Sequence, residues 1–374
     1  MTYGSNTMPA KQLPAVTSRA IDLLRFPLVV LVVYLHAFPL LLPLAADAGL
    51  WFRLAQLLAE QLARLAVPLL FICAGFLFFY QYVSGFAAYR QLWRKKSRTV
   101  LLPFLLWSVL GIACYAIGLS WQQTQPFFSN QPMLADFWTL AGFLRFWLGI
   151  ERSPLVYPLW FLRDLLIFIL ISPVLARLLH WTGWWTGLVL LLMWLLQSWL
   201  RFCCDWLVWP LFQPALESST FFVLGALFAI KPLPLSWLYR TGPGFVLVYL
   251  LGQLALWLDL LPTLLVVKVL LLIGITAVFY LALQLAQQPM WSRRLTVSAG
   301  ATFFLFVSHE PLLTVSRKVL LMLLAPLSAG QYFLLYLLLP SAVMVLLLLC
   351  YRALATTWPS LCQLLTGGRV DARR

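Results

Sequence analysis

Residues 21–38 read IDLLRFPLVVLVVYLHAF, with Arg25 and His36 eleven positions apart. In an α-helix eleven steps are about three turns, so both side chains leave the same face, separated by a rise of roughly 16 Å. Asp22, three residues before Arg25, is spaced to pair with it. One helix face therefore carries a cation near its entrance and an imidazole deeper in. An ionisable group inside an apolar run is costly unless it is partnered or used. For Arg25, snorkelling to a membrane surface competes evenly with a functional role. An imidazole in hydrocarbon needs a polar partner, which favours function for His36, and its proton affinity suits acid–base chemistry.

A second concentration of polar groups lies in GATFFLFVSHEPLL, where His309 and Glu310 are adjacent. Neighbouring helical residues point about 100° apart, so one can face a cavity while the other faces a neighbouring helix. A carboxylate near an imidazole could orient it or tune its basicity. Further polar side chains punctuate other apolar runs: Trp160, Arg163 and Asp164 in PLWFLRDLLIFIL, Glu217 before three hydroxyl residues, and Glu60, Gln61 and Arg64 ahead of VPLLFICAGFLFF. Hydrogen bonding to a substrate and interhelix ion pairing are equally good readings of each. The basic run RQLWRKKSR, with Lys95 and Arg98, either sets topology or binds phosphate. The six cysteines include no CxxC pair and suggest no metal site, and no glycine-rich phosphate loop is present.

These residues need elements to hold them, and the composition says which kind. Hydrophobic residues make up 63% of the 374 and charged residues 10%, against roughly 25% charged in a soluble domain. Apolar runs of 18 residues or more, each long enough to cross a bilayer core, recur along the chain. The expectation is an all-α, polytopic membrane protein of about ten transmembrane helices. They are placed at 23–44, 55–80, 99–119, 158–179, 183–201, 215–231, 244–262, 264–285, 299–316 and 332–354. The net charge of +15 does not point to nucleic acid, because the basic residues cluster in interhelical loops rather than in a stripe interleaved with aromatics. With the N-terminus in the cytoplasm, sixteen basic residues fall on the cytoplasmic side and seven on the other, which favours an even helix count with both termini inside. One membrane domain, 23–354, lies between an N-terminal segment 1–22 and a basic cytoplasmic tail 355–374 expected to be disordered. The longest connection, 120–157, is expected outside, with an amphipathic helix near 132–149.

Six segments in order resemble the acyltransferase 3 family of membrane acyltransferases. They are Asp22, Arg25 and His36 with their spacing; VPLLFICAGFLFF; the basic stretch into RTVLLPFLLW, with Lys95 and Arg98; PLWFLRDL; FFVLGALFA; and TFFLFVSHEPLL. Together they span about residues 19–315. Two departures stand out. Ala74 occupies the place of the family's serine before Gly75, and Pro27 stands where the family often has a small residue.

The resemblance implies a ten-helix fold of the bacterial inner membrane. It implies acyl-coenzyme A, acetyl-coenzyme A above all, as a donor substrate entering from the cytoplasm, with no permanently bound cofactor and no metal. The implied acceptor is a hydroxyl of a carbohydrate, glycan or glycolipid. His36 is implied as the essential catalytic residue, acting as general base or transient acyl carrier, with Arg25 also required. Lys95 and Arg98 would hold the donor, and His309 with Glu310 would assist. Asp22, Trp160, Arg163, Asp164 and Glu217 are candidate substrate-binding residues. A transporter or flippase of a lipid-linked sugar is the alternative from the same residues, and a non-enzymatic scaffold is a second rival.

Overall fold

Runs of Leu, Val and Phe cannot leave backbone amides unpaired in hydrocarbon, so they close their hydrogen bonds within helices. The computed structural model describes residues 13–40, 49–122, 124–125, 139–141, 156–199, 205–261 and 264–369, and among these it is all-helical. The first helix, α1 (Ala15–Ala37), starts eight residues before the expected span. A continuous rod, α2 (Leu50–Tyr80), runs through a π-helical turn at Leu57–Leu62 and a 3-10 turn at Ala63–Leu65. A second rod, α3 (Phe86–Ser120), has a π-helical turn at Ser97–Leu101. The basic run expected as a loop is therefore helix. Between Phe86 and Leu102 there is no Gly or Pro to stop it, and Lys, Arg, Gln and Leu are good helix formers.

The chain continues as α4 (Trp160–Thr182), α5 (Trp184–Leu195), α6 (Asp205–Ile230), α7 (Leu235–Trp257) and α8 (Leu264–Ala286). A short α9 (Pro289–Leu295) leads to α10 (Ala299–Leu324), α11 (Ala329–Thr357) and α12 (Pro359–Thr366). Six of these helices are long and apolar enough by length and composition to cross a membrane, so the protein is a multi-pass helical membrane protein. The α7–α8 boundary falls after Asp259, whose φ of 57° turns the chain. The helix expected near 132–149 lies outside the described residues except 139–141. The tail expected to be disordered instead carries α12, whose Cys362 and Thr366 are fully buried. Cys362, fully buried, and half-buried Leu365 give it something to pack, and the Trp107 indole of α3 donates to the Leu365 carbonyl at 3.0 Å.

Helix α1 is central and packs against α2, α8, α10 and α11. Its Tyr34 hydroxyl bonds Ser341 of α11 at 2.7 Å, which fixes the register of the two helices. The closest helix pair is α2 with α6, and glycine explains why. A Cβ on Gly75 would lie 2.0 Å from the Phe222 carbonyl oxygen, and one on Gly225 2.1 Å from that of Ile72. Small residues at such a crossing let two backbones touch. Phe168 of α4 then stacks on Phe222 with ring centres 4.3 Å apart.

Candidate active site

Two cavities open within the bundle. The first, about 670 Å³, is lined by Arg25 of α1, Cys73 and Ala74 of α2, Lys95 and Lys96 of α3, and Arg369 beyond α12. Among the described residues its lining has four cations and no carboxylate. The second, about 820 Å³, is lined by His36, Tyr115, Tyr157, Trp160, Glu217 and Glu310, together with Arg64, Lys268, Arg317 and Lys318. Its charge is mixed. Aromatic rings lie between the two: Trp160 lines the second cavity and Phe161 the first, and Phe71 packs on both with ring centres 5.7 and 4.4 Å away. Phe306 of α10 lines the basic cavity and meets Phe161 at 5.5 Å.

Helix α1 brings Arg25 to one cavity and His36 to the other, as the same-face spacing anticipates. Because α1 ends at Ala37, His36 lies in its last turn rather than at mid-helix. Arg25 pairs with Asp22 at 2.8 Å, so Asp22 positions the guanidinium and lines neither cavity.

His309 and Glu310 do divide their directions. Glu310 leaves helical geometry, with φ −103° and ψ 137°, so α10 kinks there. Its carboxylate lines the mixed cavity and accepts a hydrogen bond from Thr314 at 3.0 Å. His309 is fully buried and turns to α1, its Nε2 lying 3.4 Å from Nδ1 of His36. The imidazole tautomers follow from the partners. His309 Nδ1 lies 3.1 Å from the Leu305 carbonyl, which can only accept, so the proton of neutral His309 is on Nδ1. His309 Nε2 is then an acceptor, and His36 Nδ1 must carry the hydrogen between the rings. The Nε2 of His36 is left with its lone pair, as a general base requires. Tyr157 closes against the same ring at 5.2 Å, edge to face.

The remaining candidates separate by location. Trp160 and Glu217 line the mixed cavity. Arg163 and Asp164 line neither; Asp164 is 3% exposed, pairs with Arg163 at 3.0 Å and accepts from Ser218 of α6 at 2.6 Å. Their geometry is that of an interhelix node. Lys95 lines the basic cavity, whereas Arg98 is exposed and lines neither. Sequence reasoning missed Lys96 and Arg369 in the basic cavity and Tyr115, Lys268 and Arg317 in the other. Lys268 donates to the Trp194 carbonyl and stands over that ring, 4.9 Å from its centre. Its place in an apolar run was the available signal. Arg369 gave none, being one of several basic residues in a polar end.

The family whose description is "Acyltransferase domain" matches residues 18–356. This chain belongs to the acyltransferase 3 family. It is an acyltransferase by membership, and the matched region contains both cavities apart from Arg369. It is also similar to the succinoglycan biosynthesis protein ExoH of Rhizobium meliloti (strain 1021), at 29% identity over 375 residues, covering 96% of this chain and 94% of the relative. No solved structure matches.

Proposed function

We propose that the protein moves an acyl group, acetyl in the simplest case, from acyl-coenzyme A in the basic cavity to a hydroxyl of a cell-envelope polysaccharide or related glycan in the mixed-charge cavity. The observation that carries this reading is the coupling of His36 to His309 at the mixed cavity, on the helix whose Arg25 lines the basic one. A helix rise of roughly 16 Å between them is a span that an extended pantetheine arm bridges, so phosphates held near Arg25 and a thioester near His36 belong to one molecule. The similarity to a succinoglycan biosynthesis protein supports a polysaccharide acceptor. The rings of Trp160 and Tyr157 offer apolar faces to sugar C–H groups, and Glu217 and Glu310 offer acceptors for hydroxyls.

In the reaction, His36 Nε2 takes the proton of the acceptor hydroxyl as its oxygen attacks the thioester carbonyl carbon. The C–S bond breaks, the ester forms, and the imidazolium returns the proton to the coenzyme A thiolate. During this cycle His309 Nε2 holds the Nδ1–H of His36 and so keeps the ring in one orientation. The topology that suits this reading is ten crossings of the bacterial inner membrane with both termini cytoplasmic, the basic cavity facing the coenzyme A pool.

The test is release of coenzyme A by purified protein in nanodiscs, supplied with acetyl-coenzyme A and an envelope glycan. His36→Gln keeps polarity but cannot take the proton, and a general base contributes about 10²–10⁴-fold. Retention of more than about a tenth of wild-type turnover in the glutamine variant would remove His36 as the base. Absence of coenzyme A release by wild-type protein, with intact glycan transport, would support a flippase instead.

A further inference from the structure

The basic cavity has a wall outside the family-matched region. Residues 359–369 follow the match, which ends at 356, and reach back to α3 and α10. Helix α12 is pinned by the Trp107 indole, and Gly367 and Gly368 follow with φ of 63° and 79°. Those two left-handed residues, where only glycine sits without strain, reverse the chain. Gly367 also has no room for a side chain, since a Cβ would lie 2.5 Å from the Thr99 carbonyl oxygen. The reversal delivers Arg369 to the cavity.

Arg369 is held there firmly. Its Nη1 donates to the carbonyls of Thr99 and Thr366, both at 2.8 Å, and its guanidinium lies 4.2 Å over the Phe303 ring. A Cβ on Gly300 would lie 2.0 Å from the Arg369 carbonyl oxygen, so the backbone is seated closely against α10. Among the described residues no ion pair includes Arg369, Lys95 or Lys96. Burial, and after it the charge of Arg25, lowers the Arg369 guanidinium to about 10, which leaves it charged at neutral pH. Three cations without ion-pair partners around one cavity, beside Arg25, leave charge that a polyanion would neutralise.

We infer that residues 359–369 complete the donor site and that Arg369 binds phosphate groups of the acyl donor in the basic cavity. The inference rests on the donor reading above and adds to it a binding residue from outside the matched domain. The chemistry recognised is a phosphate or diphosphate anion, whether of a nucleotide thioester or of a lipid headgroup.

The experiment compares wild-type protein, Arg369→Ala and Arg369→Lys in nanodiscs, with acetyl-coenzyme A and with S-acetyl-pantetheine, which lacks the nucleotide phosphates. Loss of charge-assisted hydrogen bonds predicts a KM for acetyl-coenzyme A raised about 10- to 100-fold in Arg369→Ala. Lysine should restore part of it, and the two proteins should have equal KM for S-acetyl-pantetheine. An equal defect with both donors would assign Arg369 to structure alone and overturn the inference. Repeating the comparison in purely zwitterionic lipid separates the sources: a defect that appears only with anionic lipid would assign the site to headgroups and overturn the donor role. Calorimetric titration with coenzyme A and with inorganic pyrophosphate distinguishes failure of the donor reading. Binding that weakens in Arg369→Ala without any turnover would refute the donor reading but keep the anion site, and no binding of either by wild-type protein would refute both.

Discussion

Replacing His309 with leucine tests the two-histidine arrangement most directly. The substitution puts an apolar side chain of similar volume at a fully buried position and removes the acceptor of the His36 Nδ1–H. In the resting state the lost bond is neutral and contributes about 0.5–1.5 kcal/mol. When His36 takes a proton, the bond becomes charge-assisted and contributes about 1.5–3 kcal/mol. Only the difference, about 1–1.5 kcal/mol, raises the barrier, because the neutral bond is lost from the ground state as well; it converts to a drop of about 5- to 13-fold in kcat, with KM for both substrates changed little. His309→Gln, whose side-chain oxygen can accept from Nδ1, should recover part of the loss. A positioning residue acts only through its partner, so His36→Gln/His309→Leu should be no slower than His36→Gln alone. The assay is coenzyme A release in nanodiscs, with thermal unfolding recorded for each variant. A folded His309→Leu protein with more than half of wild-type turnover, or a double variant whose losses multiply, would refute the positioning role.

Three other outcomes follow from the same geometry. Gly75→Ala and Gly225→Ala each drive a methyl into a backbone carbonyl of the facing helix. Each should cost upwards of about 3 kcal/mol, visible as a fall in Tm or in folded yield; unchanged Tm would contradict the close α2–α6 crossing. Lys95→Ala and Lys96→Ala should each raise KM for acetyl-coenzyme A, while Arg98→Ala should not, because Arg98 lines neither cavity; equal effects of all three would return the run to a topological role. Reporter fusions at Arg90 and Arg374 should report one side of the membrane and a fusion near Gln125 the other; disagreement between the first two would break the even-helix topology.

Long apolar runs and a fixed helical rise are local properties, and what depended on them was legible in the sequence. Every expected span contains helix within the described residues, but six rather than ten of those helices are long and apolar enough to cross a membrane; Arg25 and His36 share α1 as their spacing requires. What depended on tertiary contact was not legible. That His309 is the polar partner of His36 rests on a meeting of α1 with α10, 273 residues apart, which no local period encodes. For Arg163 and Asp164 substrate binding and interhelix pairing could not be separated, because Ser218, which donates to Asp164, lies on another helix. The helix through Lys95 was hidden by its charge, which reads as loop although those residues favour helix. The tail failed for a related reason: α12 is short, and it is stable by being buried rather than by propensity.

The charge in the two cavities bears on the direction of transfer. A diphosphate is bound well where cations converge without carboxylates, and the cavity around Arg25, Lys95, Lys96 and Arg369 has that character. The other cavity sets Glu217 and Glu310 among Arg64, Lys268, Arg317 and Lys318, so the same anion there would meet charges of both signs. Carboxylates beside aromatic rings suit a neutral polyol, whose hydroxyls donate to them. On the proposed reading the donor takes the basic side and the hydroxyl acceptor the mixed side, with His36 on the acceptor's side of the rings of Phe161 and Phe306. A base placed there meets the hydroxyl first and the thioester only when the arm has passed those rings.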